Sequence, residues 1–531
     1  MALRIDHIRL SLDKEESALK EKVAAVLQIP VGEIQKIKIA KKSIDARRKN
    51  RIWFIYSLEL SLSVDLEARI LRHPPRSLAV QSVPTPIRRE FSSIKQKPSF
   101  RPVVVGTGPA GLFAALRLTA SGLPPLILER GKKITERLVD VENFWRDGSF
   151  EPESNVQFGE GGAGTFSDGK LFTRLNDPRI AEILETFCRF GAPEEILMLQ
   201  RPHIGTDRLR RIVQGIRQTL EGRGAEFKFQ AKMTALNIYN GELSVLIVNG
   251  QEEVQATHLF LAIGHSSRDT YRMLYRIGMA MEAKPFAMGL RVEHPQSLID
   301  RIQYGSSAEH PRLPPAEYQL TFRTIQGRGV YSFCMCPGGF IIAASSEKEG
   351  LVTNGMSLFH RNSPWANSAL VVSVGPDDFG FEGPLAGMEF QHQWEKKAFH
   401  CGGGGFHAPA QGLLDFLQKR EPSPLRKTSF QPGVCLARLD ECLPGFIVDS
   451  LREALPHFNH KMIGFASKEA VLIGIETRTS SPIRLLRQRD FQSVSIRGLY
   501  PIGEGSGYSG GIVSSALDGL KAAETVLKKW E

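Results

Sequence analysis

Hydrophobic and polar residues alternate over positions 3–12, the two-residue period of a strand with one buried face. From Glu15 to Gln28 the period changes: Leu19, Val23, Ala24, Val26 and Leu27 fall at helical spacing, and Pro30 ends the run. Two more strand-like segments follow, Ile34 to Ala40 and Ile52 to Ser63, with the basic stretch Lys41-Lys-Ser-Ile-Asp-Ala-Arg-Arg-Lys-Asn-Arg51 between them. The pattern predicts a small N-terminal α/β domain over residues 1–95. Within residues 73–102, His73-Pro-Pro, Pro84, Pro86, Pro98 and Pro102 sit among polar neighbours, the composition of an exposed linker.

Beyond that linker the pattern becomes β-α-β. The apolar run Val103–Val105 leads into a glycine turn, an apolar-periodic helix from Leu112 to Ala120, a terminating Gly122 and a second strand from Pro125 to Glu129. Thr206 or Asp207 can cap a helix that reaches about Leu220 and ends at Gly222 or Gly224. Short strands from Glu226 to Ile263 break at Asn240-Gly241 and Asn249-Gly250, pairs that favour hairpin turns. Over 276–475 strand and helix signals mix with Pro and Gly breaks, and the pattern fixes no topology.

Composition narrows the class. With 531 residues, 42% hydrophobic and 24% charged, the chain is an ordinary globular protein of roughly three domains rather than a disordered one. It has no run of 18 apolar residues and no apolar stretch at its start, so a cytoplasmic location is expected. Its six cysteines are too sparse for a disulfide framework, and without a CxxC pair no zinc site is expected. The net charge of +11 is uneven: residues 1–100 hold 20 Lys+Arg against 11 Asp+Glu, so the basicity belongs to the front domain. That stretch can serve RNA, but a charged hairpin is also an ordinary solvated face, and a nucleic-acid partner is not expected.

The candidate chemistry is concentrated in glycine-bearing segments. Gly106-x-Gly108-x-x-Gly111 lies between a buried strand and a helix, the context of a dinucleotide fingerprint: a tight turn, a close backbone approach to a pyrophosphate, and close helix packing. Glu129, at the end of the second strand, is placed to accept both hydroxyls of an adenosine ribose. Phe158-Gly-Glu-Gly-Gly-Ala-Gly-Thr-Phe-Ser-Asp-Gly-Lys170 exposes backbone N–H groups that can wrap phosphates or a flavin ring. The tail, Gly498 to Leu520, reads as a short strand, an acidic glycine-rich turn at Glu504, and a helix opening near Gly511, whose N-terminus suits the flavin edge that gains charge on reduction.

The ordered set GTGPAGLFAALRLTASG, LERG, GEGGAGTFSDGKL, LFLAIGHSSRDT and GLYPIGEGSGYSGGIVSSALDG closely resembles the FAD-dependent dehydrogenase family within the glutathione-reductase-like flavoproteins. Further blocks at 284–296, 330–339, 361–372 and 474–487 extend the likeness over nearly the whole chain. The resemblance implies an α/β fold: a discontinuous Rossmann-like FAD domain in two parts (96–275 and 476–531), an inserted α+β substrate or cap domain (276–475), and the small front domain. It implies FAD held by Gly106, Gly108, Pro109, Ala110, Gly111, Glu129 and Arg130 on the ADP side. Gly161, Gly162, Ala163, Gly164, Thr165, Ser167 and Gly264 would lie by pyrophosphate and flavin, with Gly503, Glu504, Gly510, Gly511 and Ile512 in the tail. Related flavoproteins have Ala-Thr-Gly where this chain has Ala262-Ile-Gly264, and many carry Asp at the place of Glu504.

The implied activity is hydride transfer between a small-molecule substrate and the flavin. There is neither a CxxC pair nor a second GxGxxG unit, and Gly402–Gly405 follows a helical stretch, so NAD(P)H is expected at most as a diffusing electron partner. Arg478 can clamp a substrate carboxylate or pair with Glu476. Cys334 and Cys336 form a candidate redox pair or ordinary core, and His294 and His265 are proton donors or structural residues. An RNA-modifying flavoprotein and a non-catalytic redox sensor are the alternative functions.

Overall fold

The computed structural model describes residues 2–49, 51–75, 79–83, 94 and 98–530. The alternation read at the front becomes the strand Ala2–Ser11, which buries Leu3 and Ile5 and then, past a bulge at His7 (φ 68°), Ile8 and Leu10. The bulge shifts the phase by one residue and so keeps all four side chains on the core face. The helix Leu19–Leu27 lays Leu19, Val23, Ala24 and Leu27 against this sheet. Its antiparallel order is Lys36–Asp45, Trp53–Ser61, Ala2–Ser11, Val80–Val83. Two readings are corrected here. The second strand runs on through Lys41 to Asp45, so half of the basic stretch is strand rather than hairpin. Val80–Val83 pairs into the sheet, so the proline-rich segment is not linker throughout; Pro84 and Pro86 lie outside the described residues.

Three-residue, fully buried strands build a five-stranded parallel sheet in the order Leu499–Pro501, Leu259–Leu261, Val103–Val105, Leu126–Leu128, Glu226–Lys228, of which only the last is partly exposed. Both faces of such strands are covered, which is why they read as continuous apolar runs. The strand at one edge comes from the far end of the chain, as does the helix Ile512–Leu527, which packs on the helix Pro109–Ala120. Their approach is close: a Cβ on Gly519 would sit 2.0 Å from the Ala110 carbonyl oxygen. The Asn-Gly pairs form hairpin turns as read, with Asn240, Gly241, Asn249 and Gly250 all at positive φ. The helix Thr206–Glu221 is preceded by Gly205, and Asp207 accepts from the Phe359 N–H instead of capping it.

A seven-stranded sheet fills the region where no topology was legible. Its order is Thr321–Arg323, Gly329–Cys336, Trp365–Val374, Phe286–Pro295, Val471–Glu476, Ala408–Gly412, Val434–Leu436, antiparallel except for the last pair. The fold is thus mixed α/β, and its parallel sheet and seven-stranded sheet meet at one cavity. Replacing Gly519 by Val is expected to push the C-terminal helix off the Ala110 turn and cost roughly 1–3 kcal/mol, as overpacked cores do. Urea unfolding reads this as a lowered midpoint, and an unchanged midpoint would refute the close packing.

Candidate active site

The strand Val103–Val105 delivers the chain to Gly106, at φ 102°, where a Cβ would lie 2.3 Å from the Ala262 carbonyl oxygen. Gly108 caps the next helix in ordinary extended geometry (φ −68°), and the nearest atom to a Cβ there is Gly162 Cα at 4.0 Å. Space above Gly108 is therefore open. A helix beginning at Pro109 leaves the N–H groups of Ala110 and Gly111 without intrahelical acceptors, facing the positive end of the helix dipole.

These residues line one end of a cavity of about 810 Å³. Pro109, Ala110, Glu129 and Arg130 share that end; Gly162, Ala163, Gly164 and Ser167 form the facing wall. Gly264, Gly503 and Glu504, then Gly510, Gly511 and Ile512 at the mouth of the last helix, complete it. Three residues expected to touch the cofactor stand behind the wall instead. Gly111 packs on the Gly106 carbonyl, with 2.0 Å between that oxygen and a would-be Cβ; Gly161 packs on Thr165 and Val213; and the buried Thr165 hydroxyl lies against the Glu160 carbonyl.

Glu129 has a different task from the one its position suggested. Its Oε2 accepts from the Thr107 N–H (3.0 Å) and hydroxyl (2.5 Å), and its Oε1 from the N–H groups of Gly131 (2.9 Å) and Gly159 (3.1 Å). Four donors fill a carboxylate, so here it ties the glycine turn to the 155–162 loop. Arg130 stacks over the Phe158 ring at 3.9 Å and pairs with Glu153 and Asp269. Beneath the loop, the fully buried Arg137 donates to the carbonyls of Asn155, Val156, Gly159, Glu160 and Gly162.

The same cavity is also lined by Lys170, Cys334, Asn354, Glu476 and Arg478. Lys170 donates to the Met335 carbonyl and pairs with the buried Asp168 at 3.0 Å; Asp168 also holds Arg361 at 2.5 Å. Arg291, fully buried, bonds Glu476 at 2.6 Å and donates to the Cys334 carbonyl at 2.7 Å. Burial pushes the Glu476 carboxyl up to about 7 against the pull of Arg291. The Cys334 thiol is drawn down to about 5 by a hydrogen bond from Cys336 and by the charges of Lys170 and Arg291, while Cys336, the donor, is pushed well up.

Of the four catalytic candidates, the structure leaves Cys334 on the cavity with Cys336 buried beside it, and corrects the other two. Arg478 lines the cavity but its fork is already spent: Nε and Nη2 bond Glu395 at 3.0 and 2.7 Å, and Nη1 bonds Ser266 and Ser346. It is a strut rather than a free clamp. His294 is wholly buried outside the cavity lining, its ring against Phe465 and its Nε2 2.8 Å from the Phe465 carbonyl oxygen, so Nε2 carries the proton. His265 lines the cavity, 3.5 Å from Glu504. Glu347, His392 and Glu395 cluster closely enough to hold a metal, yet Arg268 and Arg478 already neutralise them. Glu476 was missed as a site residue; its signal was one carboxylate ending the apolar strand Val471–Glu476.

The front domain reaches this site. The Lys42 N–H donates to the Met198 carbonyl and the Gln200 N–H to the Lys42 carbonyl, and Lys41 lines the cavity with Gln200 and Arg201. Much of the basic stretch is engaged within the chain: Lys42 with Glu16, Arg47 with Asp45, Arg51 over Trp53.

Comparison with known proteins gives three findings. A family model described as "FAD-dependent protein, C-terminal domain-like" matches residues 285–479, and a domain of unknown function matches residues 2–61. An uncharacterized protein of Clostridium beijerinckii is 45% identical over 537 residues, covering 100% of this chain and 99% of that one. Solved structures with similar folds include a mutant of the halogenase PltM in complex with FAD (12% identity, 82% and 71% of the chains covered, TM-score 0.38). Another is the flavin-dependent brominase Bmp2 (13%, 81% and 79%, TM-score 0.36). FAD is the cofactor, and the open cradle above Gly108 fits its pyrophosphate.

Because Gly108 has room and unstrained dihedrals, Gly108→Val is expected to fold with the melting temperature of the FAD-free wild type while losing FAD. Visible flavin absorbance after desalting measures this, and full retention would place the pyrophosphate elsewhere. His294 gives a pH test. Burial lowers its imidazole from 6.5 to about 4, so the unfolded chain binds a proton that the folded chain refuses in that window. Stability therefore falls as pH drops through it, by up to roughly 3 kcal/mol from this residue. His294→Leu should flatten the fall between neutral pH and pH 4 in urea titrations; an unaltered slope would contradict the assignment.

Proposed function

The chain belongs to the family of the Clostridium beijerinckii protein, and we propose that it is an FAD-dependent oxidoreductase of the cytoplasm acting on a small molecule. In this reading the parallel sheet is a discontinuous Rossmann-like FAD domain, and residues 276–475 are a cap that holds the substrate. One observation carries it: a single cavity is lined both by the glycine cradle at Gly106–Ala110 and by Cys334, Lys170 and Glu476.

FAD supplies a reversible two-electron, hydride-accepting centre when bound. The chain's own residues do the rest. Glu476, with a carboxyl near neutrality, can take a proton from a substrate hydroxyl, amine or thiol and return it. Lys170, Lys41 and the exposed Arg174 give the substrate end an excess of positive charge, which favours an anionic substrate. NAD(P)H is at most a diffusing electron partner, and the packing of the basic front domain against Met198–Gln200 supports a small-molecule rather than a nucleic-acid partner.

Anaerobic titration of the FAD-loaded protein with a panel of reduced metabolites and nicotinamides tests this. One of them should bleach the visible flavin band, with recovery on reoxidation. The bleaching rate should rise with pH around a midpoint near 7 as Glu476 becomes a base. Glu476→Gln should remove that midpoint and slow bleaching by roughly 100-fold or more. Bound FAD that nothing in the panel reduces would favour a sensor instead.

A further inference from the structure

We propose that Cys334 and Cys336 are a redox-active dithiol that exchanges an electron pair with the flavin of the same cavity. The inference deepens the oxidoreductase reading and rests on it for the electron acceptor.

Geometry is the first support. In a regular strand, residues two apart share a face but stand about 6.6 Å apart, at the far limit of the Cα separation a disulfide tolerates. Here the strand is not regular. Phe333 faces Ala369 and Cys336 faces Asn367, so three steps on one strand meet two on its neighbour, and Cys334 takes up the difference at φ 46°. Such left-handed geometry in a residue other than glycine is costly and marks a position with a task. The bulge brings the two side chains together: the Cys336 thiol donates to the Cys334 carbonyl oxygen at 3.3 Å, and each thiol perturbs the titration of the other.

The second support is the division of labour between the two thiols. Cys334 lines the cavity and is partly exposed to it; Cys336 is fully buried behind it. Lys170 and Arg291 place two cations around the pair, with Arg291 Nη2 2.7 Å from the Cys334 carbonyl oxygen and 4.0 Å from the Cys336 sulfur. An outer thiolate and an inner thiol are the arrangement that thiol–disulfide chemistry uses, the first to attack and the second to resolve. The chain contains its own contrast. The Cys442 thiol is pushed up by burial and by its neighbour Cys401, and neither of these two lines the cavity.

The step balances. The Cys334 thiolate and the Cys336 thiol lose two electrons and one proton as the S–S bond forms. FAD gains the electron pair and that proton, becoming the reduced anionic flavin. Run in reverse, reduced flavin opens the disulfide. The external substrate class is then a dithiol or disulfide small enough to reach Cys334.

Dithiothreitol serves as probe on the FAD-loaded protein under anaerobic conditions, beside Cys334→Ser, Cys336→Ser and the control Cys188→Ser. In the wild type and the control, dithiothreitol should bleach the flavin, and either site variant should slow this by roughly 100-fold or more while keeping FAD bound. A second readout needs neither turnover nor a variant. After one equivalent of oxidant, alkylation and mass analysis should show the 334–336 peptide lighter by two hydrogens and unlabelled; before it, Cys334 should be labelled down to pH near 5. In Cys336→Ala the labelling midpoint of Cys334 should move up, because alanine leaves no donor beside the thiolate, whereas a serine hydroxyl still donates. If FAD binds and is reduced while both thiols stay free and labelled, the dithiol inference fails and the oxidoreductase reading stands. If the protein takes up no flavin, both fail.

Discussion

The Glu129 carboxylate is the tie on which the cofactor cradle depends. Residues 154–161 form an irregular segment that is buried throughout, and buried backbone outside helices and sheets must find its hydrogen bonds elsewhere. Glu129 supplies acceptors, taking N–H groups from Thr107, Gly131 and Gly159, and Arg137 supplies donors, reaching four carbonyls of the segment and that of Gly162 just beyond it. Glu160 links this loop outward, through the Ile134 N–H and Arg217. Hydrogen bonds to charged groups each contribute about 1.5–3 kcal/mol, so the cradle is held by a few buried ionisable side chains rather than by regular structure. Their carbonyl and amide partners come from both walls, which helps two distant glycine segments keep one separation.

What was legible in the sequence follows from this. The glycine turn, the flanking strands and the C-terminal helix were readable because each carries a local signal: an apolar run, a helical period, or a glycine where a neighbouring backbone leaves no room for a Cβ. The seven-stranded sheet was not. Phe286–Pro295 and Val471–Glu476 are buried on both faces, which erases the alternation that would have announced them as strands. Roles that depend on which side chain reaches which partner were equally hidden. A carboxylate after the second strand was identified by position, but three of its four protein donors come from Thr107 and Gly159, residues that only the fold brings near. Arg478 and His294 looked chemically able and proved to be structural, one consumed by Glu395 and two serines, the other fixed on the Phe465 carbonyl.

The substrate end shows the opposite economy. Asp168, Lys170, Arg361, Arg291 and Glu476 crowd around two cysteines where burial penalises every charge. Replacing a buried ion pair by apolar residues is often neutral or stabilising, so stability alone does not explain such a cluster. What it does achieve is a gradient. Lys170 and Arg361 hold Asp168 in its charged state and Asp168 does the same for Lys170, while Arg291 restrains Glu476 without quenching it, since the carboxyl still stands near neutrality. The cations in excess then fall on Cys334, the group that faces the open cavity. Lys41 adds to that excess from the front domain, so the uneven charge of the sequence has a place in the site itself. A carboxyl poised to exchange protons and a thiol poised to lose one line the same cavity as the glycine cradle, and perturbed groups gathered in one cavity are the arrangement that the proposed oxidoreductase chemistry requires.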